Sequence, residues 1–197
     1  MKDLLSIVSH FQLQGTVQEI NPLGAGLIND TYKVSTLEAD APDYVLQRIN
    51  HAIFQNVEML QANINAVTTH IRKKLEEKGE KDIERKVLHF FPADTGKTYW
   101  HDGESYWRVM AFIPNARTYE TVNPEYSYYA GVAFGNFQAM LADIPDKLGE
   151  TIPDFHNMEF RLKQLRDAVA ADAVGRVKEV QYFLDEIERR AEEMCKA

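Results

Sequence analysis

Residues 24–34 of this chain read Gly-Ala-Gly-Leu-Ile-Asn-Asp-Thr-Tyr-Lys-Val, and residues 44–50 read Tyr-Val-Leu-Gln-Arg-Ile-Asn. The glycine-rich turn in the first stretch separates two short extended runs, residues 17–23 and 30–36. Residues 44–50 form a third extended run with a basic residue near its end, and a long helical pattern begins soon after it. This order of strands, glycine turn and helix decides the predicted fold.

The flanking sequence predicts further strands of the same sheet and one long helix. Apolar residues recur every three or four positions from Val57 to Ile71, which is typical of an amphipathic helix. Gly79 follows as a helix stop. A shorter helix is predicted over residues 3–11. Further strands are predicted in three places: residues 88–91, 98–100 and 106–112.

The pattern changes to helical after Pro114. Asn123 is a good N-cap, with Pro124 at the first helical position. Two more helical patterns cover residues 159–170 and 177–194. We therefore predict an α+β fold with two domains, a sheet domain over residues 1–113 and a helical domain over residues 114–197.

Composition and charge exclude several classes of protein. The 197 residues include 22 basic and 30 acidic side chains, a net charge of −8, which argues against nucleic-acid binding. The lone Cys195 is typical of a reducing compartment. The first ten residues are too polar for a signal peptide, and no apolar run is long enough to cross a membrane. These features predict a cytoplasmic protein without a membrane partner.

The glycine turn is the first candidate binding element. Glycines let a backbone approach phosphates closely, and backbone N–H groups can then cradle them. Asn29 stands where a third glycine would complete a G-x-G-x-x-G pattern, and asparagine tolerates a left-handed backbone. A plain hairpin turn is the alternative interpretation.

The third predicted strand supplies a candidate cation. Leu46 and Arg48 share one face of a strand, and Gln47 lies on the other. Glu58, one turn into the long helix, is a candidate acidic partner for Arg48, and Gln61 is a second candidate for that role. The alternatives are an arginine at a strand end and a helix carboxylate, both facing solvent.

Taken together, these segments resemble the aminoglycoside phosphotransferase and choline kinase superfamily. Residues 26–32 and 44–50 look closest to its N-acetylhexosamine 1-kinase branch, as do residues 130–137 and 152–156. The resemblance runs from about Thr16 to Arg190. It implies a protein-kinase-like N-lobe, an antiparallel sheet with one long helix, followed by the first helices of a helical C-lobe.

The resemblance also implies ATP and Mg²⁺ as co-substrates and a small hydroxylated acceptor, a sugar or amino sugar. In that analogy the turn covers the phosphates, Arg48 is the strand cation and the end of the last strand holds adenine. The implied nucleotide-binding residues are Gly24, Ala25, Gly26, Asn29, Thr31, Leu46, Arg48, Glu58, Met110, Ala111 and Phe112.

Neither the H-x-D-x-x-x-x-N catalytic loop of such kinases nor their magnesium-binding Asp has a counterpart in the printed sequence. We therefore expect no catalytic residue and no metal ligand here, an incomplete C-lobe, and no activity of these 197 residues alone. The alternative is a non-catalytic nucleotide-binding or protein-interaction module. The apolar stripe of the last helix would favour self-association.

Overall fold

The computed structural model describes residues 3–24, 26–119, 121 and 123–196. The predicted site residue Ala25 lies outside the described residues. The chain divides into two compact units, Met1–Thr151 and Ile152–Ala197. The predicted domain boundary between residues 113 and 114 stays a prediction.

The first unit contains an antiparallel sheet. Its described strands are β1 (Val17–Pro22), β2 (Asp30–Thr36), β3 (Tyr44–Ile49), β4 (Phe90–Phe91), β5 (Trp100–His101) and β6 (Tyr106–Ala111). They are arranged in the order β1-β2-β3-β6-β4, and β5 also pairs with β6. Every pairing is antiparallel. The sheet and its helices confirm the predicted α+β class.

Helices account for most of the remaining regular structure. The described α-helices are α1 (Leu4–Val8), α2 (Val57–Glu77), α3 (Pro124–Leu141), α4 (Met158–Ala171) and α5 (Gln181–Met194). Short 3₁₀ helices cover Ile83–Arg85 and Val177–Val180. None of the described helices is both long and apolar enough to cross a membrane.

Local sequence explains where the long helices begin and end. The side chains of Asn56 and Asn123 accept hydrogen bonds from the backbone of the first turn of α2 and α3, as N-caps do. Pro124 occupies the start of α3, where no backbone donor is needed. Gly79 follows α2 with a φ of +67°, a left-handed conformation that glycine adopts without strain.

The first helix is shorter than predicted, ending at Val8 rather than at Phe11. Phe11 instead forms an isolated bridge with Ala93. The backbone carbonyl of His10 accepts a hydrogen bond from the N–H of Asp94. The backbone after Val8 therefore joins the loop beside β4, and a tertiary contact overrides the helical pattern.

One face of the sheet is apolar and packs against α1. The side chains of Tyr44, Leu46, Val34 and Val109 are fully buried there. They form one cluster with residues from the N-terminal segment, namely Ile7, Val8 and Phe11. Side chains alternate between the two faces of a strand, so Leu46 and its neighbours at even positions of β3 lie on this core face.

The C-terminal half of α2 carries a second, smaller core. Ile71 and Leu75 of α2 are buried with Val87, and Met140 and Leu141 at the end of α3 pack against them. The Lys74 ammonium donates a hydrogen bond to the carbonyl oxygen of Met140 and also pairs with the carboxylate of Asp143. These contacts fasten the end of α3 to α2 within the first unit.

The second unit is held together by contacts between α4 and α5. The guanidinium of Arg166 donates two hydrogen bonds to the carboxylate of Glu188, at 2.8 and 2.6 Å. Apolar side chains of both helices, Leu165, Val169 and Leu184, line the space beside this ion pair. The stripe predicted on the last helix is therefore partly covered by α4.

Replacing Tyr44 by Phe tests the core face. The buried Tyr44 hydroxyl accepts a hydrogen bond from the N–H of Gln14 at 2.9 Å and donates one to its carbonyl at 3.0 Å. Tyr44→Phe should lower the free energy of unfolding by about 1–2 kcal/mol, measured by urea denaturation. Tyr128→Phe is the matched control, since Tyr128 is 68% exposed. Equal stability of the two variants would contradict the assignment.

Candidate functional site

The glycine turn between β1 and β2 depends on both of its glycines. Gly24 has a φ of +73°, in the left-handed region that favours glycine. Gly26 lies so close to the chain that an added Cβ atom would approach the backbone oxygen of Asn29 to 3.0 Å. The N–H of Leu23 donates to the carbonyl of Thr31 at 2.8 Å, which closes the turn.

Asn29 holds this turn to the end of β3. Its side-chain oxygen accepts a hydrogen bond from the backbone N–H of Asn50 at 2.9 Å. The described non-glycine residues with a left-handed backbone do not include Asn29. Its contribution to the turn is therefore this side-chain hydrogen bond and not the left-handed conformation that the sequence allowed.

On the face of the sheet opposite α1, polar side chains connect β2, β3 and β6. The amide nitrogen of Gln47 donates to the Thr31 hydroxyl at 3.0 Å. The amide oxygen of Gln47 accepts two hydrogen bonds from Arg108, one from Nε at 2.9 Å and one from Nη2 at 2.6 Å. Gln47 and Arg108 are direct partners in the register of β3 and β6.

Helix α2 completes this arrangement through Gln61. Arg108 Nη1 donates to the amide oxygen of Gln61 at 2.9 Å. Gln61 is 2% exposed, and its amide nitrogen donates to the carbonyl and the hydroxyl of Thr98, at 2.9 and 3.2 Å. We call these five residues, Thr31, Gln47, Gln61, Thr98 and Arg108, the Arg108 network.

The Arg108 guanidinium is partly desolvated, and its positive charge is not paired with a carboxylate among the described residues. Burial lowers the pKa of the Arg108 guanidinium to about 10. Such a shift corresponds to a cost of about 3 kcal/mol for keeping the group charged. In the part of the chain that the structure describes, no carboxylate lies within ion-pair distance of this guanidinium. Its hydrogen-bond partners in the network are neutral amides.

The structure does not bring Arg48 and Glu58 together. Arg48 pairs with Asp30 of the neighbouring strand, with Nη2 at 2.5 Å from the carboxylate oxygen. Glu58 pairs with Lys97 at 3.0 Å. Arg48 shares the α1 face with Leu46, whereas α2 contacts the opposite face. The predicted ion pair is therefore absent, and the second candidate, Gln61, contacts Arg108 of β6 instead of Arg48.

The other predicted nucleotide contacts are placed as follows. Leu46 is fully buried in the core beneath α1. Met110 is in register with Val45 and with Phe90. The N–H of Ala111 donates to the carbonyl of His89 at 2.9 Å, and that of Phe112 donates to the carbonyl of Asp43 at 3.1 Å. Both of these backbone donors are therefore already engaged within the protein.

A sequence model of the phosphotransferase enzyme family matches residues 19–197, most of the chain. The chain belongs to the phosphotransferase enzyme family. This membership confirms the predicted superfamily and supports phosphoryl transfer in general, with a nucleotide and a small-molecule acceptor. The sugar acceptor and the N-acetylhexosamine 1-kinase branch stay predictions.

Phosphotransferases of this kind generally use a divalent metal ion, such as magnesium. Magnesium prefers carboxylate oxygens and water at nearly octahedral geometry. Among the described residues, no group of three or more His, Cys, Asp or Glu side chains could hold a metal ion.

Sequence reasoning missed three residues of the Arg108 network, Gln47, Thr98 and Arg108. The available signal was a charged residue at an interior position of β6. Arg108 is flanked by Trp107 and Val109, which are 2% and 0% exposed. An arginine between two core residues must lie on the opposite face, and charged residues seldom occupy the middle of a packed sheet without partners.

The role of Asn29 in this phosphotransferase can be measured at a single amide. Asn29→Ala removes the acceptor for the Asn50 N–H, so the Asn50 amide should exchange with solvent about five-fold faster, equivalent to about 1 kcal/mol. Hydrogen exchange followed by NMR gives this rate. Asn29→Asp keeps an acceptor and should leave the rate close to that of the parent chain. Unchanged exchange in Asn29→Ala would contradict the assignment.

Proposed function

We propose that this chain binds ATP beneath its glycine turn, as the nucleotide-binding part of a phosphotransferase that acts on a hydroxyl group of a sugar or amino sugar. The main support for the proposal is the hydrogen-bonded connection between the glycine turn and the Arg108 guanidinium. The turn formed around Gly24 and Gly26 joins β2 next to Thr31. The Thr31 hydroxyl is hydrogen-bonded to Gln47, which in turn contacts the half-buried guanidinium of Arg108.

The turn has the properties that phosphate binding requires. At Gly26 the missing Cβ lets the backbone lie close to the Asn29 carbonyl, and backbone N–H groups are suitable donors for phosphate oxygens. We propose that residues 24–31 cover the phosphates. For adenine, the end of β6 offers the carbonyls of Ala111 and Phe112, because the N–H groups of these two residues already have partners.

The acceptor class rests on resemblance. Residues 130–137 and 152–156 resemble the N-acetylhexosamine 1-kinase branch, which supports a sugar or amino-sugar hydroxyl as acceptor. A bound magnesium ion would neutralise phosphate charge during transfer. The H-x-D-x-x-x-x-N loop has no counterpart in residues 1–197, so we propose that ATP binding, rather than turnover, is the property of these residues.

Measurements of ATP binding and of turnover distinguish the proposed nucleotide-binding function from a protein-interaction module. We expect the chain to bind ATP with a dissociation constant of millimolar order, which corresponds to about −4 kcal/mol, measured by ligand-detected NMR titration. We expect no release of ADP with a panel of hexoses, hexosamines and N-acetylhexosamines. The Gly24/Gly26 double-alanine variant is the control for both measurements.

Two results would contradict this proposal. Absence of ATP binding at several millimolar would remove the nucleotide function and favour the interaction module. Turnover well above that of the double-alanine variant would show that these residues are active alone, against our expectation.

A second candidate function, self-association, is favoured by one observation. Tyr182 and Phe183 at the start of α5 are adjacent aromatic residues, 72% and 63% exposed. We propose that α5 contributes to contacts between copies of the chain in the cytoplasm, where the lone Cys195 would stay reduced. Light scattering tests it: a clean monomer at high concentration would contradict the proposal.

A further inference from the structure

Resting on the proposed function, we propose that Arg108, and not Arg48, is the cation that contacts the phosphates of the bound nucleotide, and that Gln47 and Gln61 are positioning residues for it. The inference moves the phosphate-binding charge from β3 to the neighbouring strand β6. It also moves it from the α1 face of the sheet to the face that α2 covers.

Charge pairing among the nearby cations supports this choice. Three cations close to the turn or to α2 are each neutralised by a carboxylate: Arg48 by Asp30 at 2.5 Å, Lys33 by Asp43 at 2.8 Å and Lys97 by Glu58 at 3.0 Å. Arg108 has no such partner among the described residues. An anion near the turn would therefore gain most from Arg108, since the other three charges are already compensated.

The geometry of Arg108 suits an incoming anion. A guanidinium has five N–H donors. Three Arg108 hydrogen bonds lead to the two amide oxygens of Gln47 and Gln61, so two N–H groups have no partner within the described part of the chain. The side chain is half-buried, so a ligand can still reach it. Partial burial also strengthens its attraction for phosphate by excluding water.

The two glutamines hold Arg108 without neutralising it. Gln47 fixes Nε and Nη2, and Gln61 fixes Nη1, so the plane of the guanidinium is set from β3 and from α2. Carboxylates at these positions would fix the same plane but compensate the charge. Gln47 also donates to Thr31, beside the glycine turn, which places the cation and the turn in one hydrogen-bonded system.

A purely structural role is the competing explanation. A buried arginine without a carboxylate is a poor stabiliser, because desolvation of the charge opposes folding and apolar side chains of similar volume often serve as well. Groups kept charged at such a cost are typical of binding sites. The two explanations differ in what removal of the charge changes: ligand affinity in one case, stability alone in the other.

The test compares Arg108→Met with Arg48→Met in the full 197-residue chain. Ligand-detected NMR titrations use three probes: ATP, inorganic tripolyphosphate and adenosine. Arg108→Met should weaken ATP and tripolyphosphate binding about ten-fold or more, the loss expected for a charge-assisted contact. Adenosine binding should stay within about two-fold, because adenosine carries no phosphate. Arg48→Met should leave all three affinities unchanged.

The outcomes separate this inference from the proposed function. Tripolyphosphate binding that depends on Arg108, without ATP binding, would overturn the nucleotide function and uphold the anion site. Equal losses for adenosine and ATP in Arg108→Met, or a loss in Arg48→Met instead, would overturn the role of Arg108. Absence of binding of every probe to the parent chain would overturn both proposals.

Gln61→Glu tests the positioning role in a variant that preserves side-chain shape. A carboxylate at the position of the Gln61 amide would lie next to Arg108 Nη1 and compensate its charge. The variant also loses the amide donor to the Thr98 carbonyl, so we expect it to unfold at a lower temperature. At a temperature where it is folded, it should bind tripolyphosphate several-fold more weakly than the parent chain. Unchanged tripolyphosphate affinity would contradict the idea that neutral amides keep the charge available.

Discussion

The partly desolvated guanidinium of Arg108, held between the amide oxygens of Gln47 and Gln61, is the interaction on which the described site depends. Keeping it charged costs about 3 kcal/mol, and no described carboxylate offsets that cost. The hydrogen bonds nevertheless tie β3, β6 and α2 together at one point. Movement of any of these elements would leave buried donors or acceptors unsatisfied, so their relative positions are strongly constrained.

The two faces of the sheet have different roles: one stabilises the fold, and the other carries the residues proposed to bind phosphate. The face toward α1 holds the fully buried side chains of Tyr44, Leu46 and Val109, which belong to one hydrophobic cluster. The opposite face carries Gln47 and Arg108. Because successive side chains of a strand alternate, a shift of one residue exchanges a core position for a polar one. Arg48 and Gln47 are adjacent in β3 and therefore lie on opposite faces, and only Gln47 belongs to the Arg108 network.

Much of the fold followed from local patterns. The strands appear within a few residues of their predicted positions, α2 begins and ends where its apolar stripe and Gly79 indicated, and α3 starts at its Asn-Pro cap. One exception is α1, which ends before Phe11 because that residue bridges to Ala93. The last predicted helix begins as a 3₁₀ helix, Val177–Val180, before α5. Local signals succeeded where capping and periodicity act within one segment, and failed where a distant segment competed for the backbone.

The sequence by itself determined the α+β class, the glycine turn, the family resemblance and the fact that Gln47 points away from Leu46 and Arg48. These properties depend on neighbouring residues and on the two-residue period of a strand. Only the tertiary structure decided which face α2 covers, that Arg48 pairs with Asp30, and that Gln61 meets Arg108. Those contacts join residues 18 and 47 positions apart, and their charge balance depends on burial, which no local pattern encodes.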